Sequence, residues 1–228
     1  MSKKIKVILQ ARTGSKRLRG KVLLPICGQE LVVLCYQRIK NIKYDTIVAI
    51  PKGKEDNYLA KVLKKNNIKF FRGEKENVLS RFQKITSRMN PEDIIVRVTG
   101  DNPVVDSFFI KKLILEFTKG KFNYLSSHDN VVSSPFGLQA EVFKAKYLRE
   151  KLPINKYNLE HVTPVIRERY KSKKKIKIKN LKNLSNLRIS IDDINDYERV
   201  KDIFQASFNN SKENYLSLIN NYKRLKKN

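Results

Sequence analysis

The stretch Lys6-Val-Ile-Leu-Gln10-Ala-Arg12-Thr-Gly14-Ser15-Lys16-Arg17-Leu-Arg19-Gly20-Lys21 decides how the rest of the chain is read. An apolar run feeds straight into a turn of small residues loaded with positive charge. A β-strand ending in such a loop offers backbone N–H groups, kept accessible by Gly14 and Gly20, beside four or five cationic side chains. Amide donors and Lys/Arg charge both favour anionic oxygen, so the segment suits a polyphosphate. Neither G-x-x-x-x-G-K-[ST] nor G-x-G-x-x-G is present. A solvated basic loop after an edge strand is the competing reading, and the loop alone does not choose between them.

Beyond this loop the apolar pattern alternates between two periods. Lys4–Ala11 reads as the first strand, Leu31–Ile42 as a helical stripe, and Thr46–Ile50 as a strand ended by Pro51. Glu55–Asn66 reads as a helix, Ile68–Phe71 as a strand, Val78–Ser87 as a helix, Ile94–Val98 as a strand and Phe108–Phe117 as a helix. This order predicts βαβ units, right-handed crossovers and a mainly parallel sheet. The pattern then loosens. Phe122–Ser127 and Gly137–Phe143 are expected as strands, and Tyr147–Leu152 as a short helix. Leu159–Tyr170 is expected as a helix with Pro164 tolerated only in a first turn. Ile176–Ile178 and Leu187–Ile191 are expected as strands, with Tyr197–Phe208 and Tyr215–Leu225 as closing helices. There is no internal repeat. Residues 126–180 are expected to form an arm on a single domain spanning 1–228.

The bulk properties narrow the class. A chain of 228 residues with 40% apolar content is large enough to bury a real core. No run of about 18 apolar residues is present, so no spanning helix is expected. The N-terminal apolar segment is too short for a signal peptide and is interrupted by Gln10 and Arg12, so a cytoplasmic protein is expected. Cys27 and Cys35 fit neither a disulfide framework nor a zinc site, and Cys35 reads as a core thiol. The net charge of +27 could serve nucleic acid, an anionic surface or anionic small ligands. Lys, Asn and Ile dominate the sequence, all from AT-rich codons, and the clusters at 171–175 and 223–227 lack interleaved aromatics. Most of the excess charge is therefore read as a solvated face, with no specific nucleic-acid partner.

Two acids stand out. Asp101 follows Ile94-Ile-Val-Arg97-Val-Thr99-Gly100, and Asp192 follows Leu187-Arg-Ile-Ser-Ile191. Each lies just past a strand end, where ligands bind in open α/β sheets and where the basic loop also lies. Two carboxylates facing a basic loop describe a Mg²⁺–nucleotide site. Taken singly, Asp101 suits an Asx-turn before Pro103, and Asp192 or Asp193 suits a helix cap.

With these residues in view, the chain resembles the cytidylyltransferases of the CMP-sialate and CMP-KDO synthetase group (acylneuraminate cytidylyltransferase-like), in particular their SpsF-type branch. Gln10–Lys21 is similar to Q-A-R-x-G-S-x-R-L-P-G-K, and Phe71–Phe82 to F-R-G-x-x-x-D-V-L-x-R-[YF]. Arg97–Pro103 resembles R-x-T-G-D-x-P, Glu160-His161-Val162-Thr163-Pro164 matches E-H-V-T-P, and Leu187–Asp192 resembles L-R-W-T-V-D. The departures are Arg19 for Pro, Asn77 for Asp, Ile189 for Trp, and Asn158-Leu159 for Asp-Arg. Pro135–Glu141 also loses two acids relative to P-D-G-L-D-V-E. The acceptor half has drifted more than the nucleotide half.

The resemblance implies an α/β, Rossmann-like nucleotidyltransferase fold of the nucleotide-diphospho-sugar transferase type. Its central sheet is mixed but mainly parallel, flanked by helices, with a small arm. It implies Mg²⁺-dependent nucleotidyl transfer from CTP to an acidic sugar or related small acceptor, with release of pyrophosphate, in surface polysaccharide synthesis. Arg12 and Lys21 would hold the triphosphate, the Gly14–Ser15 backbone would cradle phosphate oxygens, and Asp101 and Asp192 would hold Mg²⁺. Ala11, Arg72, Arg81, Arg97 and Thr99 lie where the family reads cytosine. Arg72 or Arg81 could equally cap a helix or pair with Glu74 or Glu76. Glu141 and His161 fall on the acceptor side, and 126–180 on a homodimer interface. A sugar-1-phosphate nucleotidylyltransferase using another nucleotide, a polysaccharide glycosyltransferase and a nucleic-acid binder are the alternatives.

Overall fold

The computed structural model describes residues 3–41, 43–150, 155–178, 184–207 and 213–225. The first strand, β1 (Ile5–Gln10), lies at the centre of a six-stranded sheet. A two-stranded ribbon, β2 (Pro25–Ile26) and β3 (Gln29–Glu30), leads into helix α1 (Leu31–Ile39). Strand β4 (Asp45–Pro51), helix α2 (Asn57–Lys65), strand β5 (Phe70–Gly73), helix α3 (Val78–Thr86), strand β6 (Ile94–Thr99) and helix α4 (Ser107–Lys119) complete the alternating half. Strand β7 (Tyr124–Ser126), the short helix α5 (Ser127–Asn130) and strand β8 (Glu141–Lys144) follow. Helices α6 (Lys156–His161), α7 (Pro164–Tyr170), α8 (Ile194–Gln205) and α9 (Tyr215–Leu225) come after them.

The sheet order is β5-β4-β1-β6-β8-β7. Strands β5, β4, β1 and β6 run parallel, and β8 lies antiparallel to both β6 and β7. The chain builds outward from β1 through β4 to β5, then crosses back to place β6 on the other side of β1. That reversal opens a crevice at the carboxyl ends of β1 and β6, the place where open α/β sheets bind ligands.

The sheet is covered on both faces, so its central strands read as continuous apolar runs. Val7 and Leu9 point into a core with α1, α4 and α8, whereas Ile8 points into a second core with Phe82 of α3 and Ile166 of α7. Helices α3, α4, α6 and α8 start on side-chain caps, Asn77, Asp106, Asn155 and Asp193, each accepting from a backbone N–H three residues on.

Several expectations need correction. The helix read over 159–170 is two helices. Pro164 lacks an N–H and opens α7, while Val162 at φ 67° and ψ −52° ends α6. Ile176–Ile178 and Leu187–Ile191 make only isolated bridges, Val131 to Ile176 and Phe136 to Arg188, because each pairs with a loop rather than with a strand. The strand expected over 137–143 is shorter and later, at Glu141–Lys144. The helix expected from Tyr147 is instead a 3₁₀ turn over Ala145–Leu148, and residues 151 and 152 of that expectation lie outside the described residues. Among the described residues, no helix is long and apolar enough to cross a membrane.

Candidate active site

The loop after β1 is held by Thr13. Its N–H and its hydroxyl both donate to Asp56 Oδ1, at 2.8 and 2.9 Å, and its carbonyl accepts from Ser15 N and Gly20 N. Gly20 has φ 73°, a left-handed conformation with open space around a Cβ, so glycine serves the backbone here rather than packing. The chain then enters a 3₁₀ turn at Lys21–Leu23 that carries the Lys21 side chain inward.

Lys21 is buried, and its ammonium sits among three oxygens. Nζ lies 2.8 Å from Asp101 Oδ2, 2.7 Å from the Ile191 carbonyl and 3.1 Å from Asp192 Oδ1. Asp101 is fixed by the Thr99 hydroxyl, which donates to its Oδ1 at 2.7 Å, and Thr99 accepts in turn from Asn102. Asp192 meets two further cations, Arg17 at 2.7 Å from Oδ1 and Arg188 at 2.7 Å from Oδ2. Arg188 is itself braced by Asp196 and lies over the Phe136 ring. Burial pushes the Asp196 carboxyl up, but hydrogen bonds from Arg188 and from Asp192 N outweigh it and hold the group below its ordinary value.

Lys21, Asp101, Asp192, Thr99 and Arg17 line a cavity of about 560 Å³ at the crevice between β1 and β6. Ala11, Arg12, Gly14, Ser15, Lys21, Arg97, Thr99, Asp101, His161 and Asp192 all reach its wall. Arg12 extends across it, with Nη2 2.5 Å from Glu160 Oε1 on α6. A second cavity of about 380 Å³ adjoins it, sharing Arg97 and His161 and adding Glu141, Tyr157, Thr163, Arg167 and Lys171. Arg97 binds Glu141 Oε2 at 2.5 Å and Gln10 Oε1 at 3.0 Å, so it forms part of the wall between the two cavities. Burial pushes the Glu141 carboxyl up. The Arg97 charge and hydrogen bonds from Tyr124, Arg97 and Thr163 outweigh it and hold Glu141 below the usual range. His161 is pulled below its ordinary value, chiefly by burial, with Arg97 and Arg12 opposing the pull of Glu160.

Arg72 and Arg81 do not reach the cavity wall. Arg72 donates to the carbonyls of Pro51, Lys52 and Gly53 and to Asn57 Oδ1, which makes it a cap for the turn before α2. Arg81 is fully buried, with Nη2 on the Lys75 carbonyl, while Nε and Nη1 have no hydrogen-bond partner among the described residues. Burial, with the nearby Arg12 charge, pulls its guanidinium down to about 10.

The family profile described as cytidylyltransferase matches residues 6–226. The chain belongs to the cytidylyltransferase family. This cytidylyltransferase is 36% identical to the uncharacterized protein MJ1063 of Methanocaldococcus jannaschii, over 86% of this chain and 81% of that one. It is 32% identical to the spore coat polysaccharide biosynthesis protein SpsF of Bacillus subtilis, over 88% of this chain and 86% of that one. Among solved structures, a cytidylyltransferase from Leptospira borgpetersenii superposes with a TM-score of 0.87 at 26% identity, covering 99% of this chain and 96% of that one. The fold is thus the nucleotidyltransferase fold, and the protein is a nucleotidyltransferase.

Among the cavity-lining residues that the sequence does not single out are Glu160, Arg17 and Asp56. Glu160 stands in the E-H-V-T-P segment, but nothing local pairs it with Arg12, 148 residues away. Arg17 is one of several loop cations, and its contact with Asp192 depends on the fold. Asp56 sits in a polar turn that gives no sign of its grip on Thr13.

Proposed function

We propose that this enzyme transfers a cytidylyl group from CTP to a small acidic sugar or related acceptor for surface polysaccharide synthesis. The observation that carries this reading is the convergence of Lys21, Asp101, Asp192 and the Ile191 carbonyl in a cavity walled by the Arg12–Ser15 loop. Relatives support the substrate classes: SpsF is named for spore coat polysaccharide biosynthesis, and a Francisella philomiragia protein that is 29% identical over 44% of this chain is a 3-deoxy-manno-octulosonate cytidylyltransferase.

The donor set suits a hard divalent cation such as Mg²⁺. Three oxygens already surround one ammonium, and carboxylate and carbonyl oxygens are the ligands such ions take. Asp101 and Asp192 would hold the ion in place of the Lys21 ammonium, which would turn toward the phosphates. A bound Mg²⁺ supplies Lewis-acid stabilisation to the phosphates and lowers the pKa of the acceptor hydroxyl. The chain's own groups bind and orient. Arg12 and Lys21 hold the triphosphate, and the backbone amide of Gly14 meets its oxygens, while the Ser15 amide braces the loop on the Thr13 carbonyl. The acceptor hydroxyl attacks the α-phosphorus as the bond to the β-phosphate oxygen breaks, so the transfer needs charge neutralisation and in-line alignment more than a dedicated nucleophile. The acceptor would sit in the second cavity, whose lining carries Arg97, His161, Arg167 and Lys171 beside the carboxylates of Glu141 and Glu168.

A thermal-shift comparison of CTP, UTP, GTP and ATP, each with and without Mg²⁺, tests the reading. A CTP-selective, Mg²⁺-dependent rise in Tm is expected. Selectivity for another nucleotide would move the assignment to a sugar-1-phosphate nucleotidylyltransferase. No shift with any nucleotide would remove the reading.

A further inference from the structure

The nucleotide reading gives Lys21 and Asp101 or Asp192 their roles, but it leaves Glu160 unexplained. Its contact with Arg12 joins the phosphate loop to α6 across the mouth of the cleft. The Glu160 side chain is 32% exposed and that of Arg12 38%, so the pair can separate without stranding a buried charge. The Glu160 carboxyl lies below the ordinary glutamate range, chiefly through the hydrogen bond from Arg12 and against a smaller effect of burial.

The chain just after Glu160 is strained. Thr163 N donates to the His161 carbonyl at 2.7 Å, closing a three-residue γ-turn on Val162 at φ 67°. A β-branched residue rarely adopts this conformation, which persists only where its surroundings enforce it. Thr163, at one end of the turn, donates through Oγ1 to the half-buried Glu141 at 2.8 Å, Val162 N donates to the Asn158 carbonyl at 3.1 Å, and Glu160, one residue before the turn, is held by Arg12. Between them lies His161, which lines both cavities and packs tilted against the Tyr157 ring, 4.5 Å between centroids.

We propose that Glu160 is a positioning residue that holds the place of a nucleotide phosphate on Arg12, and that nucleotide binding frees it. The inference rests on the CTP reading above. A triphosphate outcompetes a single carboxylate for a guanidinium because it carries more charge and more acceptor oxygens. Once Glu160 leaves Arg12, one tie on the strained turn is gone, and the His161 turn relaxes at the boundary of the second cavity. Glu160 thus neutralises the phosphate-binding arginine until a nucleotide takes its place, and the nucleotide reshapes the wall of the neighbouring cavity.

The test is calorimetric binding of CTP with Mg²⁺ to the full-length protein, for wild type and Glu160→Gln, which preserves shape and removes charge. CTP is expected to bind the variant about fivefold more tightly, equivalent to the ~1 kcal/mol of an exposed ion pair. Glu160→Asp, which keeps the charge but draws it back by one methylene, is expected to shift Kd in the same direction by less. Hydrogen exchange read on peptides spanning 156–163 supplies a second signature: exchange is expected to speed up when CTP binds wild type, and to be fast already in Glu160→Gln. An unchanged or weaker CTP affinity in both variants, or exchange that slows on CTP binding, would overturn the inference while leaving the CTP reading intact. A wild-type protein that binds no CTP would bring down the CTP reading itself.

Discussion

Ile191 N donates to the Asp101 carbonyl at 2.9 Å, and this one backbone bond joins the chain after β6 to the chain before α8. It sets Asp101 and Asp192 side by side, although neither a strand nor a helix links them. Lys21 then fits against both. The site is therefore held by backbone geometry at one point and by a buried cation at another, so each acid can be changed without removing its neighbour's support.

Asp101→Asn and Asp192→Asn are each expected to lower turnover about 100-fold or more, as loss of a carboxylate at a metal-assisted phosphoryl site does. Pyrophosphate release at saturating CTP measures this. Near-normal rates in both variants would reject the metal assignment. Lys21→Ala is expected to weaken use of CTP strongly, read as a fall in kcat/KM for CTP.

Asp193, next in the chain, behaves differently. It caps α8 by accepting from Asp196 N at 2.9 Å and makes no contact with Lys21. Asp193→Ala is expected to cost about 1 kcal/mol of stability, the usual value of a cap, with turnover unchanged. Urea denaturation alongside the rate assay separates the two neighbours. Equal loss of turnover in Asp192→Asn and Asp193→Ala would mean that both act only through the helix.

Asp56→Ala removes the acceptor of the Thr13 N–H and the nearer of two acceptors of its hydroxyl, in a buried position. A stranded buried donor costs about 1–3 kcal/mol. The same change loosens the loop that carries Arg12, Gly14 and Ser15. A raised KM for CTP, larger in proportion than any loss of kcat, is expected from steady-state kinetics. Asp56→Asn, whose side chain keeps an acceptor oxygen, is expected to recover part of both.

The alternating half of the fold was legible because its helices and strands carry distinct apolar periods. Val7 and Leu9 face one core and Ile8 the other, and the α3 stripe of Val78, Leu79 and Phe82 is buried as a unit. The region after α4 was not, since pieces such as Ile176–Ile178 are stabilised by single bridges to loops and leave no periodic trace. In the site, the basic loop and the two acids were visible as departures from local pattern at strand ends. The structure brings these residues to one cavity. It also shows Arg72 as a turn cap, a role open to any arginine near the three carbonyls of that turn. Glu160 and Arg17 could not be found locally, because each meets its partner only once the chain has folded across the cleft.

Glu141 makes the acid limb of stability testable. Burial works against its charge, yet Arg97, Tyr124 and Thr163 stabilise the carboxylate enough to leave its pKa below the ordinary value in the folded state. A group depressed on folding contributes stability that is present above its unfolded pKa, about 4.3, and lost as pH falls through the folded value. Wild type is therefore expected to lose this contribution progressively below about pH 4. Glu141→Gln, which cannot ionise, is expected to be less stable at neutral pH and to show a flatter decline on acidification. Its Arg97 is left with Gln10 as its remaining charge-free partner, so the deficit is greatest where Glu141 would have been ionised. Urea midpoints measured from pH 7 down to pH 3 for both proteins decide the matter. Parallel curves would show that Glu141 contributes no ionisation-linked stability.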